Sequence, residues 1–248
     1  MRQYQHNRHF QVFVQADYEE VSLRAARLLL HHVREKPDTL LCAATGGSPT
    51  RAYDLFCDPG WHHRASYDRM RVIKLDEWGG LPPGDPGTCE VYLKQHLLDS
   101  LRIPPERYMG FKVSPPDPQA DCERVAAELD ERGPIDVCVL GLGTNGHLGF
   151  NEPADELQPH AHVATLSEAS LDHPMVRHNR DAVKFGMTLG IGDILHSRHV
   201  LLLVNGAPKR EPLTRLMSGG VSTQFPASCL WLHPSVTCIC DADAAEGL

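Results

Sequence analysis

The sequence lacks the motifs of several common enzyme classes. Its 8 cysteines and 15 histidines form neither a C-x-x-C pair nor an H-E-x-x-H motif, so we expect no metal site of those kinds. The patterns G-x-S-x-G and G-x-x-x-x-G-K-S/T are also absent, which argues against a nucleophile-elbow hydrolase and a P-loop protein. The adjacent pairs His31–His32 and His62–His63 are interpreted as surface residues rather than metal ligands.

Long apolar runs and an excess of positive charge are missing as well. No apolar stretch approaches the length of a membrane span, and residues 1–14 carry no apolar core followed by a secretion cleavage site. Lysine and arginine number 24 against 32 aspartates and glutamates, a formal net charge of −8 that offers no footprint for DNA or RNA. These absences predict a cytoplasmic protein with no nucleic-acid or membrane partner, whose cysteines stay reduced and mostly buried.

Short apolar runs of strand length alternate with helical patterns along the chain. The strand candidates are residues 10–14, 40–45, 71–75, 137–142, 199–204 and 237–242, and the helix candidates are residues 18–34, 50–56, 89–101 and 120–132. Continuous apolar strands that alternate with helices are typical of a parallel sheet covered on both faces. We therefore predict one domain over residues 1–248 with an α/β fold: a doubly wound, mostly parallel sheet with helices on both faces, a Rossmann-like three-layer sandwich.

Ligands of such sheets bind beyond the carboxyl ends of the strands, where the strand order reverses. The first motif at a strand end is ATGGSPTRAYDLF, residues 44–56. Gly46 and Gly47 permit a tight turn, and Ser48 is expected as the N-cap of the next helix. The free amides at that helix start predict a phosphate site, although a plain strand-to-helix turn would use the same residues.

Two further strand ends carry charged side chains. Asp76 and Glu77 follow the strand at 71–75; they suit either a solvated turn or a base whose pKa is set by burial. Lys209 follows the strand at 199–204 in NGAPKRE, where it would reach a bound phosphate or else lie on the surface.

The motif GLGTNGHLGFNEP, residues 141–153, fits the dinucleotide fingerprint G-x-G-x-x-G in its first six positions. That fingerprint needs a helix that begins inside the motif and continues, and Pro153 would interrupt it. We therefore expect no dinucleotide and no other cofactor. His147 needs a partner to support its charged form, and Glu152 could be that partner; the alternative is a histidine that only satisfies a loop carbonyl.

These residues resemble a known family. The segments TGGSPT, KLDEWGGLP, GLGTNGHLGFNEP and SCLWLHP resemble, in this order, the glucosamine/galactosamine-6-phosphate isomerase (deaminase) family over about residues 18–241. The element G-H-x-x-F-N-E-P is specific. Within the family, KLDEW, PGTCE, VLGLGTNGHLG, TLGIGDIL and PASCLWLH are most similar to the galactosamine-6-phosphate branch, which forms tagatose 6-phosphate.

The resemblance implies an aldose–ketose isomerisation of an amino sugar phosphate with loss of ammonia and without a redox cofactor. His147 would move a proton at the ring oxygen, and Asp76 would take the proton from carbon 2 and return it at carbon 1. Glu152 would orient His147.

The resemblance also assigns the substrate-binding residues and the partners. Gly46, Gly47, Ser48 and Lys209 would hold the phosphate, with Arg177 as a helper. The expected partner is a small-molecule sugar phosphate, and a homo-oligomer is possible.

The chain departs from the better-known members at two places. Asn145, counted here with the catalytic residues, replaces an aspartate of many glucosamine-6-phosphate members, so the support of His147 falls on Glu152. We predict that Glu152→Gln costs far more activity than Asn145→Asp. Residues 155–165 contain no lysine or arginine, whereas allosteric members have a basic cluster there, so we predict no activation by an N-acetylated sugar phosphate.

Three alternatives remain open at the level of the sequence. The first is a glucosamine-6-phosphate deaminase that forms fructose 6-phosphate. The second is a 6-phosphogluconolactonase, against which the N-E-P element argues. The third is a non-catalytic sugar-phosphate sensor, which would be expected to carry a helix-turn-helix that this sequence does not display.

Overall fold

The computed structural model describes residues 2–5, 9–61 and 67–248. The pair His62–His63 lies outside them. The strands are β1 (Arg2–Gln5), β2 (Phe10–Gln15), β3 (Leu40–Ala43), β4 (Arg71–Lys74), β5 (Asp76–Gly79), β6 (Tyr108–Met109), β7 (Val137–Gly141), β8 (His162–Ala164), β9 (Phe185–Thr188), β10 (His199–Val204) and β11 (Val236–Asp241).

The helices are α1 (Tyr18–Glu35), α2 (Gly47–Phe56), α3 (Cys89–Leu93), α4 (Asp99–Leu101), α5 (Pro118–Arg132), α6 (Glu168–Leu171), α7 (Ile191–Leu195) and α8 (Arg210–Met217). A π-helical turn, Lys94–Leu98, joins α3 and α4 into the helix predicted over 89–101. In the described part of the chain, every helix is too short or too polar to span a membrane.

Eight strands form the main sheet in the order β1-β2-β11-β10-β7-β3-β4-β6. All neighbours in it are parallel except β1 and β2, which pair antiparallel. The predicted mostly parallel α/β sheet is confirmed. The sequence pattern missed β1, β6 and a separate antiparallel sheet, β5-β9-β8, because these strands are short and have no continuous apolar run.

Alternate residues of the central strands pack into two separate hydrophobic cores, one on each face of the sheet. On β10, Val200 and Leu202 pack with α5 and α8, whereas Leu201 and Leu203 pack with α1 and α2. This is the period of two that a strand imposes on its side chains, and it produces the predicted three layers.

The chain order reverses between β3 and β7. From β3 the chain continues through β4 to β6 on one side, while β7, β10 and β11 lie in succession on the other side. Loops that leave the carboxyl ends of β3 and β7 therefore diverge and leave a crevice, the position where open α/β sheets bind ligands.

Candidate active site

A cavity of about 260 Å³ opens at this crevice. Six of the predicted site residues line it: Gly46, Gly47, Ser48, Asp76, His147 and Lys209. Asn145 and Glu152 lie behind His147, as described below. Arg177 is exposed and does not line the cavity, so the structure does not bring it to the other predicted residues.

The turn after β3 presents the start of α2 to the cavity. Gly46 has φ 98°, a left-handed conformation that favours glycine, and α2 begins at the next residue with no side-chain cap. The hydroxyls of Tyr92 and Thr50 donate to the Gly46 carbonyl over 3.0 and 2.8 Å and fix the turn. The amides of the first turn stay available for an anion, with the helix dipole behind them.

The expected N-cap role of Ser48 is wrong. The N-cap is Gly46, because its positive φ ends the extended backbone two residues earlier than the pattern indicated. Ser48 instead lies in the first turn of α2, where it lines the cavity.

Lys209 reaches the cavity from the end of a short 3-10 helix, Ala207–Lys209, that follows β10. Burial lowers the pKa of its ammonium group from the ordinary value. No carboxylate of the described residues forms an ion pair with it. A half-buried cation of this kind is stabilised when an anion enters the cavity.

Asp76 is the first residue of β5 and is only 7% exposed. Burial, followed by the neighbouring charge of Glu77, raises the pKa of Asp76 to about 7. The thiol of Cys89 lies nearest as a donor, with Sγ 3.7 Å from Oδ1. A carboxyl group that titrates near neutral pH can both accept and return a proton there.

His147 and Asp76 line the same cavity, and the carboxylate of Glu152 lies behind the imidazole. Nδ1 of His147 lies 3.5 Å from Oε2 of Glu152, an ion pair when the ring is protonated. The amide of Asn145 donates to the same Oε2 over 2.8 Å, while its Oδ1 accepts from the backbone N–H of His147 at 3.1 Å. Asn145 therefore fixes the acid and the histidine backbone relative to each other.

Two serines that the sequence reasoning missed complete the surroundings of Glu152. The hydroxyls of Ser167 and Ser170 both donate to its Oε1, the former over 3.0 Å. Burial opposes ionisation of Glu152, but His147, Ser170 and Asn145 outweigh it and hold the pKa of Glu152 at about 2. Glu152 is therefore a carboxylate near neutral pH. The serines belong to a segment without a motif, so no sequence signal marked them.

An aromatic wall closes another side of the cavity and was also missed. Trp78 packs against Phe150 with ring centroids 4.4 Å apart and against His173 at 5.9 Å. Burial, with His147 and Lys209 nearby, lowers the pKa of His173 to about 4, so this ring is neutral. Its Nε2 lies 3.0 Å from the point where a side chain at Gly46 would begin. The sequence carried no periodic signal for this loop.

The loop after β7 does not have the geometry of a dinucleotide site. It turns back after Gly146 instead of starting a helix, so it lacks the helix end that would hold a pyrophosphate. Gly143 leaves room for His147 instead, because a Cβ at Gly143 would lie 2.5 Å from the imidazole ring. Within the described ranges, no group of three or more His, Cys, Asp or Glu side chains is arranged as a metal site.

Comparison with known proteins identifies the family of the chain. A family model described as glucosamine-6-phosphate isomerases/6-phosphogluconolactonase matches residues 16–238. The protein named "Putative deaminase AgaI" of Escherichia coli strain K12 is 40% identical over 223 residues, which cover 90% of this chain and 88% of that protein. Glucosamine-6-phosphate deaminase 1 of Bacillus subtilis strain 168 is 36% identical over 231 residues, 92% of this chain and 96% of that one.

Solved structures give the same result. A structure described as a monomeric glucosamine-6-phosphate deaminase of the NagB superfamily superposes with a TM-score of 0.88 at 34% identity, covering 95% of this chain and 98% of that chain. The 6-phosphogluconolactonase of Trypanosoma brucei superposes with a TM-score of 0.74 at 22% identity over 96% and 98%, a likeness of fold alone. The chain belongs to the glucosamine-6-phosphate isomerase/6-phosphogluconolactonase family.

Proposed function

We propose that this chain converts galactosamine 6-phosphate and water into tagatose 6-phosphate and ammonia. The observation that carries the proposal is the shared cavity. A carboxyl group with a pKa of about 7 and an imidazole with a carboxylate 3.5 Å from its Nδ1 line it together with a helix start and a half-buried lysine. Relatives named as deaminases of amino sugar phosphates support this class of reaction.

Each group has one task in the proposed reaction. The amides of Gly47 and Ser48 and the ammonium of Lys209 bind the phosphate, which positions the sugar. His147 protonates the ring oxygen as the ring opens and takes up the proton of the hydroxyl on carbon 1, which becomes the aldehyde. Glu152 stabilises the charged imidazole.

Asp76 then isomerises the open aldehyde. It takes the proton from carbon 2 while His147 gives a proton to the aldehyde oxygen, which yields an enol at carbon 1 with the amine still on carbon 2. Asp76 then gives its proton to carbon 1. The product is an iminium ion at carbon 2. Water adds to this carbon, the C–N bond breaks, and ammonia leaves with the formation of the ketone. General acid–base steps of this kind contribute about 10²–10⁴-fold each.

The galacto preference depends on similarity to one branch of the family. The segments KLDEW, PGTCE and PASCLWLH support it, as does the 40% identity to the protein named "Putative deaminase AgaI". The alternative substrate is glucosamine 6-phosphate, which differs only in the configuration of carbon 4 and would give fructose 6-phosphate by the same steps. The role of each site residue is part of the same proposal.

Ammonia release tests the proposal directly. Purified full-length protein is offered galactosamine 6-phosphate or glucosamine 6-phosphate, and ammonia is measured by coupling to glutamate dehydrogenase. We expect a higher kcat/KM for the galacto sugar, and Asp76→Asn should abolish turnover of both. A higher value for the gluco sugar would reverse the preference. Hydrolysis of 6-phosphogluconolactone without ammonia release, or binding of both sugars without turnover, would refute the deaminase.

A further inference from the structure

A buried ion pair lies directly behind Asp76. Lys74 is the last residue of β4, and Glu77 is the second residue of β5, so the two residues flank Asp76 in one sharp connection between the two sheets. Both side chains are fully buried, with 0% exposure, and Nζ of Lys74 lies 2.6 Å from Oε2 of Glu77. Burying two charges is costly, so a pair in this position needs a reason beyond stability.

Glu77 is held rigidly by backbone groups. Its Oε1 accepts from the N–H groups of Trp78 at 2.9 Å and Cys89 at 2.8 Å, and its Oε2 accepts from the N–H of Glu90 at 2.9 Å. The carboxylate therefore binds the start of α3, which carries the Cys89 thiol that faces Asp76. Through these contacts, the ion pair fixes both the backbone of Asp76 and the helix that packs against its side chain.

Lys74 is shared between two acids. Besides Glu77 it contacts Oε2 of Glu90 at 3.1 Å, and the hydroxyl of Tyr108 donates to the same oxygen over 2.7 Å. Glu90 also pairs with Lys94, whose Nζ lies 3.2 Å from Oε1, whereas among the described residues Glu77 pairs with Lys74 alone. Asp76 is the third carboxyl group at this end of the sheet and has no cation of its own among the described residues.

The other ionisable groups around Asp76 come from separate elements. His147, His173 and Lys209 face it across the cavity, where solvent or substrate separates the charges. Cys42 and Tyr53 lie on its buried side, and burial raises the pKa of each well above the usual range, so both stay neutral. The charges fixed in the protein nearest to Asp76 are therefore those of Glu77 and Lys74, the former opposing and the latter favouring its ionisation.

We propose that the Lys74–Glu77 pair is a positioning device for Asp76, which orients its carboxylate and sets the pH at which it can act as the base. The role as base rests on the proposed function; the effect on protonation does not. If the pair were purely structural, loss of either side chain would lower activity without shifting the pH profile in opposite directions. If the pair acts through its charges, loss of Lys74 and loss of Glu77 shift the pKa of Asp76 in opposite directions, because Lys74 is positive and Glu77 is negative.

The test is therefore whether the two substitutions shift the titration of Asp76 in opposite directions. Lys74→Met keeps an unbranched buried chain but removes the cation, and we expect the acidic limb of kcat/KM for ammonia release to move to higher pH by about one unit. Glu77→Gln removes the anion, and we expect the limb to move to lower pH. The double variant Lys74→Met with Glu77→Gln should lie between the two, and it leaves no unpaired charge if Lys74→Met folds poorly.

A matched control is available at the opposite end of the sheet. Lys36 pairs with Asp136 at 2.9 Å, far from the cavity, so Lys36→Met removes a lysine and an ion pair without a change near Asp76. We expect its pH profile to overlay that of the unmodified protein. A shift of Lys36→Met equal to that of Lys74→Met would overturn the inference, as would shifts of Lys74→Met and Glu77→Gln in the same direction or no shift in either.

A second readout separates this inference from the proposed reaction. The carboxyl carbon of Asp76 is followed by NMR in protein labelled with ¹³C-aspartate, and its signal is assigned by its loss in Asp76→Asn. If the protein released no ammonia, the proposed function would fail while the NMR midpoints still reported the effect of the pair. If ammonia were released and the NMR titration midpoints of Asp76 were the same in Lys74→Met and Glu77→Gln, only the inference about Lys74 and Glu77 would fail.

Discussion

Asp76→Asn is expected to stabilise the folded protein while it abolishes activity. The pKa of Asp76 rises from an ordinary value of 3.8 to about 7 because the folded protein buries it beside Glu77. Ionising this carboxyl therefore costs more in the folded than in the unfolded chain. The folded state holds the extra proton between these two pH values, so the stability of the folded protein falls as pH rises through that window.

The magnitude follows from the two pKa values. About three units at 1.36 kcal/mol per unit give a penalty of about 4 kcal/mol above pH 7. Asparagine has nearly the same shape and never ionises, so the variant escapes this penalty. At pH 8 we expect the free energy of unfolding to rise by up to about 4 kcal/mol, and at pH 4 by less than about 1 kcal/mol. For a chain of this size, the gain at pH 8 corresponds to a rise in Tm of roughly 8 °C or more.

Thermal and urea unfolding at both pH values provide the measurement. Because both proteins share all other titrating groups, the contributions of these groups cancel in the difference between the two free energies of unfolding. Asp243→Asn, which changes an exposed aspartate, controls for the loss of a carboxyl group in general. A variant that is no more stable than the unmodified protein at pH 8, or that gains equally at pH 4, would refute the claim that Asp76 is held against ionisation.

Three further outcomes test other parts of the site. Glu152→Gln should lower kcat/KM about 10²-fold or more. Asn145→Asp should lower it less, although this variant loses a donor 2.8 Å from Glu152. Equal losses would contradict the assignment of charge support to Glu152 alone. Lys209→Met should raise KM for the phosphorylated sugar at least about tenfold. Lys94→Met, which changes an exposed lysine, should leave KM unchanged. Equal increases of KM in the two variants would contradict the proposed phosphate contact. Because residues 155–165 contain no lysine or arginine, rate curves should be hyperbolic with and without an N-acetylated sugar phosphate, and a sigmoidal curve relieved by it would overturn this expectation.

The layers of the fold and much of the site could be predicted because both depend on local patterns. Continuous apolar runs marked the strands buried on both faces, and the glycines after β3 marked a turn that only a few residues can form. The parallel direction of the strands then placed Gly46, Asp76, His147 and Lys209 at one edge, where they line one cavity.

The parts that could not be predicted depend on long-range contacts. The sheet β5-β9-β8 joins strands that are distant in sequence and have no continuous apolar run. Ser170 and His173 reach the site from a segment without regular periodicity. The fully buried position of Lys74 contradicts the usual exposure of lysine, and only its two acidic partners explain it. Arg177 was predicted from resemblance alone and lies outside the cavity.

One short stretch links the two ends of the cavity. Ser167 and Ser170 hold the acid behind His147, and three residues later His173 packs against the glycine turn that begins α2. The proposed proton transfer and the proposed phosphate binding thus depend on the same stretch, and we expect a change in it to alter turnover and affinity together. Trp78 packs against His173 as well as Phe150, so a substitution of Trp78 made to change the sugar preference would also disturb this stretch.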